Sequence, residues 1–321
     1  MAIYNKFLEN KKGPEIAKLK IAVAAGHEYL TKCSSLEGGA QIKEYISNSL
    51  PKVEEVLQAK VDFEALKAAV EVKDAGKTFE LGKKVLARDP NNIDVMLAVV
   101  SVGHFSTLGV APSDKFNDDI LRYAKTALEK LNDPKADTAY FKTTNCADGR
   151  INAIGWMNYV IGDLTLYRLK DRKAALPYLY KSTQVGCATR AKADAYESIS
   201  ATYFDEFQRL DADRLAKAKT AGDKNTEETD AIYALQLGYL DRMMDASGRT
   251  YNAAVADAKF DVGQRAELLA KIKKYYSVRH DENIAGFDDW LKGLSSKPFP
   301  DPTSKVEPVA TPSPAIVPNK H

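Results

Sequence analysis

The amino-acid sequence predicts an all-α protein, and three observations lead to this fold class. Apolar residues recur with a helical period along almost the whole chain; Ile16, Leu19 and Val23, for example, fall on one helix face. No segment of five or more residues alternates between apolar and polar side chains in the manner of a half-buried strand. Seven of the 13 prolines follow Ser296, so the preceding part of the chain contains few residues that would interrupt a helix.

Turn signals divide the helical pattern into segments of about 12 to 20 residues, a usual length for helices in globular proteins. Pro14 stands at the start of the first long segment, and Pro51 is expected to divide or kink the next one. Further breaks fall at residues 89–92 and 133–134, where Asp-Pro pairs end one helix and allow another to begin. This alternation of helix and short turn is typical of a stack of α-hairpins.

One of these turns carries the motif of a known family. Residues 63–92 end in Leu-Ala-Arg-Asp-Pro-Asn-Asn, which resembles the L-x-x-D-P-N-N closing turn of the tetratricopeptide repeat family. Two further units, at residues 93–134 and 156–186, resemble the helix pair of this family. Within the second of them, residues 171–176 resemble the turn and the small-residue start of the second helix. Small residues at such positions allow two helices to approach closely.

A fourth unit begins near residue 193 and resembles the first helix of the family. Its residues at the places of the W-x-x-L-G-x-x-Y signature are Tyr196, Ile199, Ser200 and Tyr203. A shorter echo of the signature is formed by Ala234, Leu237 and Gly238. The resemblance implies a tetratricopeptide-like α-hairpin solenoid, wound as a right-handed superhelix, with a concave surface that binds a peptide or another subunit.

The resemblance covers about residues 60–255. The chain departs from its pattern at an insertion around residues 109–116 and at two further places. A polar insertion at residues 211–225 lengthens or interrupts a hairpin, and Pro177 is expected to kink a second helix. The expected organisation has four parts. They are an N-terminal helical hairpin or cap at 1–58, degenerate repeats at 59–255, C-terminal capping helices at 256–295 and a Pro-rich extended tail at 296–321.

Composition and charge exclude several classes of function. The 46 Lys and Arg residues almost balance the 44 Asp and Glu residues, which gives a net charge of +2. Such a chain has no general field for nucleic acid, so we expect no nucleic-acid partner. No stretch of about 18 apolar residues is present, so the sequence predicts no membrane span.

The sequence contains no recognisable catalytic constellation. None of the four histidines stands at a metal-ligand spacing from another ligand, and no phosphate loop, G-x-S-x-G elbow or H-E-x-x-H motif occurs. Adjacent carboxylates such as Asp118 and Asp119 point apart on a helix, so they do not form a catalytic pair. We therefore expect no enzymatic activity, no cofactor and no metal.

The cysteines leave the cellular compartment open. Cys33, Cys146 and Cys187 are far apart in the sequence, and they are either small buried thiols or one disulfide with one thiol left over. The beginning of the chain at Met1 fits a cytoplasmic protein, and it fits equally an exported bacterial protein whose signal has been removed. The Pro-Thr-Ser composition of the tail favours export.

The expected function is therefore protein–protein interaction, in which a helical-repeat groove binds a protein or peptide without covalent chemistry. The 16 tyrosines are either hairpin-packing residues or part of a contact surface, since aromatic residues and Arg are concentrated at protein interfaces. The first-helix positions expected to face the groove are His104, Phe105, Tyr167, Arg168, Phe204 and Asp205.

The alternative hypothesis is a self-assembling structural protein, in which the tail joins copies into a polymer, ring or other homo-oligomer. The tail alone has too little apolar surface to fold, but a stiff Pro-rich segment loses little entropy when it docks. Its apolar anchors are Phe299, Val306, Val309, Ile316 and Val317. We expect the tail to lie in a groove, either of its own helices or of a neighbouring copy.

Overall fold

A computed structural model describes residues 1–33, 39–108, 111–144, 146–186, 190–258 and 260–309. Within these residues the chain forms twelve α-helices and one short 3-10 helix, and it contains no β-strand. The prediction of an all-α fold is therefore confirmed. In this part of the chain no helix is both long enough and apolar enough to cross a membrane. The chain divides into two compact units, Met1–Ser113 and Asp114–His321.

The described residues of the first unit form five helices, which pack against their neighbours in the sequence. They are α1 (Ala2–Asn10), α2 (Ile16–Lys32), α3 (Gly39–Glu71), α4 (Ala75–Arg88) and α5 (Ile93–Ser106). Phe7 of α1, Leu19 of α2 and Ile46 of α3 are almost completely buried in one core cluster. Removal of these side chains from water is the main force that holds the three helices together.

Of the two effects expected of Pro51, division of the helix is wrong, because α3 continues through Pro51; a kink there stays a prediction. The side chains of Leu50 and Val53, on either side of it, are buried in the core cluster. This packing holds the backbone in the helix although proline lacks the N–H for one hydrogen bond. The boundary expected after residue 58 consequently lies inside a continuous helix.

The turn between α4 and α5 has the expected form. Pro90 and Asn91 lie in the turn, and Leu86 is buried, as the repeat register predicts. The side-chain oxygen of Asn92 accepts a hydrogen bond from the Val95 N–H at 3.1 Å and so caps α5. Sequence signals at this turn therefore predicted the local structure correctly.

In the part of the second unit that the structure describes there are seven α-helices, and the largest packing interface among them lies between two long neighbours, α9 and α10. The helices are α6 (Asn117–Leu131), α7 (Gly149–Tyr167), α8 (Arg172–Thr183), α9 (Arg190–Thr220), α10 (Glu227–Ala256), α11 (Val262–Arg279) and α12 (Phe287–Gly293). The 3-10 helix Leu294–Ser296 follows α12. The polar insertion at 211–225 lengthens the hairpin, because α9 continues to Thr220 before the turn to α10 begins.

Two of the expected repeats coincide with helix pairs of the second unit. The unit at 156–186 corresponds to α7 and α8, where a side chain on Gly162 would overlap Leu179. The unit that begins near residue 193 corresponds to α9 and α10. The expected unit at 93–134 differs, because its first helix belongs to one compact unit and its second helix to the other.

Candidate functional site

The second unit contains a cleft of about 320 Å3 formed by α7, α9, α10 and α11. Aromatic and acidic side chains make up half of its lining, and Ser and Thr hydroxyls contribute much of the rest. The side chains on which its chemistry depends are Tyr159, Asp163, Tyr167, Asp194, Glu197 and Tyr275. Among the described residues of this lining Lys271 is the one basic side chain, so acidic side chains outnumber basic ones.

Helical spacing explains why these side chains converge. Tyr159, Asp163 and Tyr167 follow one another at intervals of four residues, which places them on one face of α7. Asp194 and Glu197 are three residues apart on α9 and also share a face. Two helix faces that each present carboxylates and aromatic rings therefore meet across the cleft.

Burial disfavours ionisation of the tyrosines in the cleft. The Tyr159 hydroxyl is buried and donates a hydrogen bond to Oδ1 of Asp163 at 3.5 Å. Burial raises the pKa of Tyr159, and the nearby carboxylates of Asp163 and Asp194 raise it further. Burial also raises the pKa of Tyr167. A tyrosine hydroxyl is already protonated at neutral pH at its usual pKa, and the raised pKa makes its ionisation in the cleft less favourable still.

Two of the residues predicted to contact a partner, Tyr167 and Phe204, line this cleft. The neighbours of these two residues make other contacts. Nε of Arg168 lies 3.4 Å from a carboxylate oxygen of Asp114, and a carboxylate oxygen of Asp205 lies 2.9 Å from an Arg172 nitrogen. Adjacent residues of a helix point in different directions, so Tyr167 and Phe204 line the cleft whereas Arg168 and Asp205 form ion pairs with other residues.

The other two predicted contact residues, His104 and Phe105, belong to the first unit. The His104 side chain is buried, with 5% of its surface exposed, so it cannot face an open groove in this structure. Phe105 is half exposed, and the ammonium group of Lys73 lies 3.9 Å from the centre of its ring. Of this pair, only Phe105 is placed to contact another molecule.

The carboxylates Asp163, Asp194 and Glu197 were not among the contact residues predicted from the sequence. Their spacing from the tyrosines indicates a shared helix face, but a similar spacing occurs on many solvated helices. The carboxylates of the cleft differ from those on solvated helices because their helix faces are partly buried between neighbouring helices. This burial can be seen only in the tertiary structure.

The described part of the tail, residues 297–309, forms a second feature of this unit. The Phe299 ring is buried and lies edge-to-face with Tyr196 of α9, with 4.9 Å between ring centres. The Arg249 guanidinium of α10 is 5.3 Å from the centre of the Phe299 ring. The Tyr180 hydroxyl of α8 donates a hydrogen bond to the Phe299 carbonyl at 3.3 Å. One tail residue thus contacts three helices.

The tail continues along α10 beyond this anchor. Val306 is buried, and the Val309 N–H donates a hydrogen bond to the Ala234 carbonyl at 2.8 Å. Phe299, Val306 and Val309 therefore all contact helices of their own unit, as the first of the two tail hypotheses predicts. The two remaining predicted anchors, Ile316 and Val317, lie outside the described residues.

The cysteines and the metal ligands can be assessed within the described residues. Cys146 is disulfide-bonded, Cys33 is a free thiol, and Cys187 lies outside the described residues. Among the residues that the structure describes, no group of three or more His, Cys, Asp and Glu side chains could hold a metal ion.

The chain matches no family model, no curated protein and no solved structure. Its resemblance to tetratricopeptide repeats therefore remains a prediction from the motifs.

Proposed function

We propose that this chain is a non-enzymatic interaction protein, and that the cleft between α7, α9, α10 and α11 binds a basic side chain of a partner protein or peptide. The observation that carries the proposal is the composition of the cleft walls. Three carboxylates and three tyrosine rings line one cavity whose described residues include a single Lys. This combination attracts a Lys ammonium or an Arg guanidinium more than a neutral or acidic group.

Two interactions support the choice of a basic ligand. A cation that enters the cleft can pair with the Asp163, Asp194 or Glu197 carboxylates. It can also lie against the faces of tyrosine rings, whose negative quadrupole attracts a cation by about 0.5–2 kcal/mol, depending on desolvation. Because the tyrosine hydroxyls remain protonated, they can orient the carboxylates without adding charge of their own.

Selection from a random peptide library tests the proposal, because it does not require an identified partner. Peptides that bind the wild-type protein are expected to be enriched in Arg and Lys. The double variant Asp194→Asn with Glu197→Gln should lose this enrichment, because two of the three carboxylates become neutral. Glu129 of α6 is an exposed residue outside the cleft, so Glu129→Gln is a matched control that should retain the wild-type enrichment.

The result can contradict the proposal in two ways. Selection that yields no excess of basic residues would show that the cleft does not recognise cations. An excess that persists in the double variant and is equal to that of the Glu129→Gln control would place the binding site elsewhere on the protein.

Export from a bacterial cell also belongs to this proposal. The disulfide bond of Cys146 supports it, because disulfides persist mainly in oxidising compartments. Mass spectrometry of the protein from its native source, after thiols have been blocked by alkylation, is expected to find Cys146 unmodified. Alkylated Cys146 would contradict an oxidising location.

A further inference from the structure

The structure also shows how a proline-rich segment can be recognised by this fold. Nη2 of Arg249 donates hydrogen bonds to the carbonyl oxygens of Lys297 and Pro298, at 2.9 and 3.3 Å. The Tyr180 hydroxyl donates to the carbonyl oxygen of Phe299. All three bonds end on the tail backbone, so they would form equally well with a different sequence in the same extended conformation.

Only a few tail side chains add to this backbone recognition. Phe299 and Val306 are buried together with Pro302, whereas residues between and around them, such as Thr303 and Lys305, are exposed. The groove therefore fits a segment with an aromatic side chain between prolines, a turn at residues 301–304 and an aliphatic side chain seven residues after the aromatic one. Aromatic walls and hydrogen-bond donors directed at backbone carbonyls are the usual features of polyproline-binding surfaces.

Gly238 indicates that α10 is adapted to an extended chain at this place. The nearest atoms to a Cβ added at Gly238 all belong to the tail. The Cβ would overlap the Glu307 carbonyl oxygen and would lie 3.0 Å from Cγ1 of Val306. Glycine is a poor residue for the interior of a helix, and this one leaves room for the tail and not for a neighbouring helix.

We propose that the groove formed by Tyr180, Tyr196, Arg249 and Gly238 is a binding surface for proline-rich segments of other proteins that adopt the backbone conformation of the tail, and that the chain's own tail occupies it as an intramolecular competitor. A tethered segment has an effective concentration in the millimolar range, so an external segment of similar sequence binds appreciably only when the tail is released.

This surface is separate from the cleft of the proposed function. Successive helix residues are rotated by about 100°, so Tyr196, which faces the tail, points about 200° away from Asp194, which faces the cleft. The two sites can therefore be tested independently, and the failure of one does not decide the other.

A peptide with the sequence of residues 297–309, carrying a fluorescent label, provides the test by anisotropy. Full-length wild-type protein is expected to bind it weakly, because the tail competes. The full-length variant Phe299→Ala releases the tail anchor and should bind the peptide at least ten times more tightly. Val306→Asp, which loosens the other anchor, should change the affinity in the same direction.

Two controls identify the groove as the binding surface. Adding Gly238→Ala to the Phe299→Ala protein should abolish the gain, because the new methyl group occupies the space of the peptide. Gly293→Ala is the matched control, and it should preserve the gain. Apart from the chain neighbours and the backbone of its own helix, no atom of the described residues lies within 4 Å of a Cβ added there. Circular dichroism verifies that every variant remains folded.

Two results would overturn the proposal. One is that both folded tail variants bind the peptide no better than the wild type. The other is that Gly238→Ala and Gly293→Ala leave the affinity equally unchanged, because the peptide would then bind outside the groove.

Discussion

Replacement of Phe299 by Ala measures how strongly the tail stabilises the second unit. The Phe299 side chain is 6% exposed, and its ring packs against Tyr196 and Arg249. The substitution removes this ring but leaves the tail backbone and all helix residues unchanged. Any loss of stability therefore comes from weaker docking of the tail.

The expected loss is about 2–4 kcal/mol. Burying a Phe side chain contributes about 1.5–3 kcal/mol, and an edge-to-face aromatic pair adds about 0.5–1.5 kcal/mol. A Phe-to-Ala change within a core leaves a cavity and costs about 3–5 kcal/mol. The tail can instead detach from the groove, so the loss cannot exceed the free energy with which the tail is docked.

This upper limit leads to a comparison of two variants. Deletion of residues 297–321 removes the whole tail, so it should lower the unfolding free energy by no less than Phe299→Ala does. If Phe299 is the principal anchor, the two losses should agree within about 1 kcal/mol. Urea denaturation followed by circular dichroism measures both, provided that the slope of the transition is unchanged.

A substitution of an exposed tail residue provides the control for this comparison. The Lys305 side chain is 81% exposed, so Lys305→Ala should change the unfolding free energy by less than about 0.5 kcal/mol. An equally small effect of Phe299→Ala would refute the assignment of Phe299 as an anchor. A loss well above that of the deletion would show that the substitution damages the helices themselves.

The remaining predictions concern three other positions. Leu86→Ala should lower the unfolding free energy by about 2–4 kcal/mol, since Leu86 is buried. A loss of less than about 0.5 kcal/mol would show that Leu86 is not buried in the folded protein. Burial raises the pKa of Asp62, but the hydrogen bonds from Arg88 and Gln58 and the positive charge of Arg88 together outweigh this, so the net pKa is lowered. The contribution of Asp62 to the unfolding free energy is therefore complete above the pKa that Asp62 has in the unfolded chain, and it is lost as the pH falls through the pKa in the folded chain. Asp62→Asn should consequently make the stability of the protein less sensitive to acid. An unchanged stability–pH profile would contradict this. Gly238→Ala should stabilise a chain without the tail by about 1 kcal/mol but not the wild type, and equal effects would place the tail elsewhere.

The local structure of this protein could be predicted from its sequence because the signals act over a few residues. The Asn92 cap, the turn at Pro90 and the start of α8 after Asp171 each depend on one side chain and the backbone beside it. A helix can likewise be predicted from apolar residues that recur every three to four positions along the sequence. These features therefore follow from the sequence whatever the arrangement of the neighbouring helices.

The features that could not be predicted depend on contacts between distant residues. Pro51 remains within α3 because the residues beside it are buried against other helices. Asp163 and Asp194 are 31 positions apart, and only the packing of α7 against α9 brings them into one cleft. The helical period shows that each lies on a particular face, but it does not show which two faces meet.

Two glycines within helices also show that contacts between distant residues could not be predicted from the sequence. Gly162 and Gly238 are both helical, and both are small residues in segments that resemble a helical repeat. At Gly162 the space is filled by Leu179 of the next helix, whereas at Gly238 it is filled by the tail. The same residue type on two helices therefore leaves space for a helix in one case and for an irregular segment in the other, and the sequence pattern around each glycine does not distinguish them.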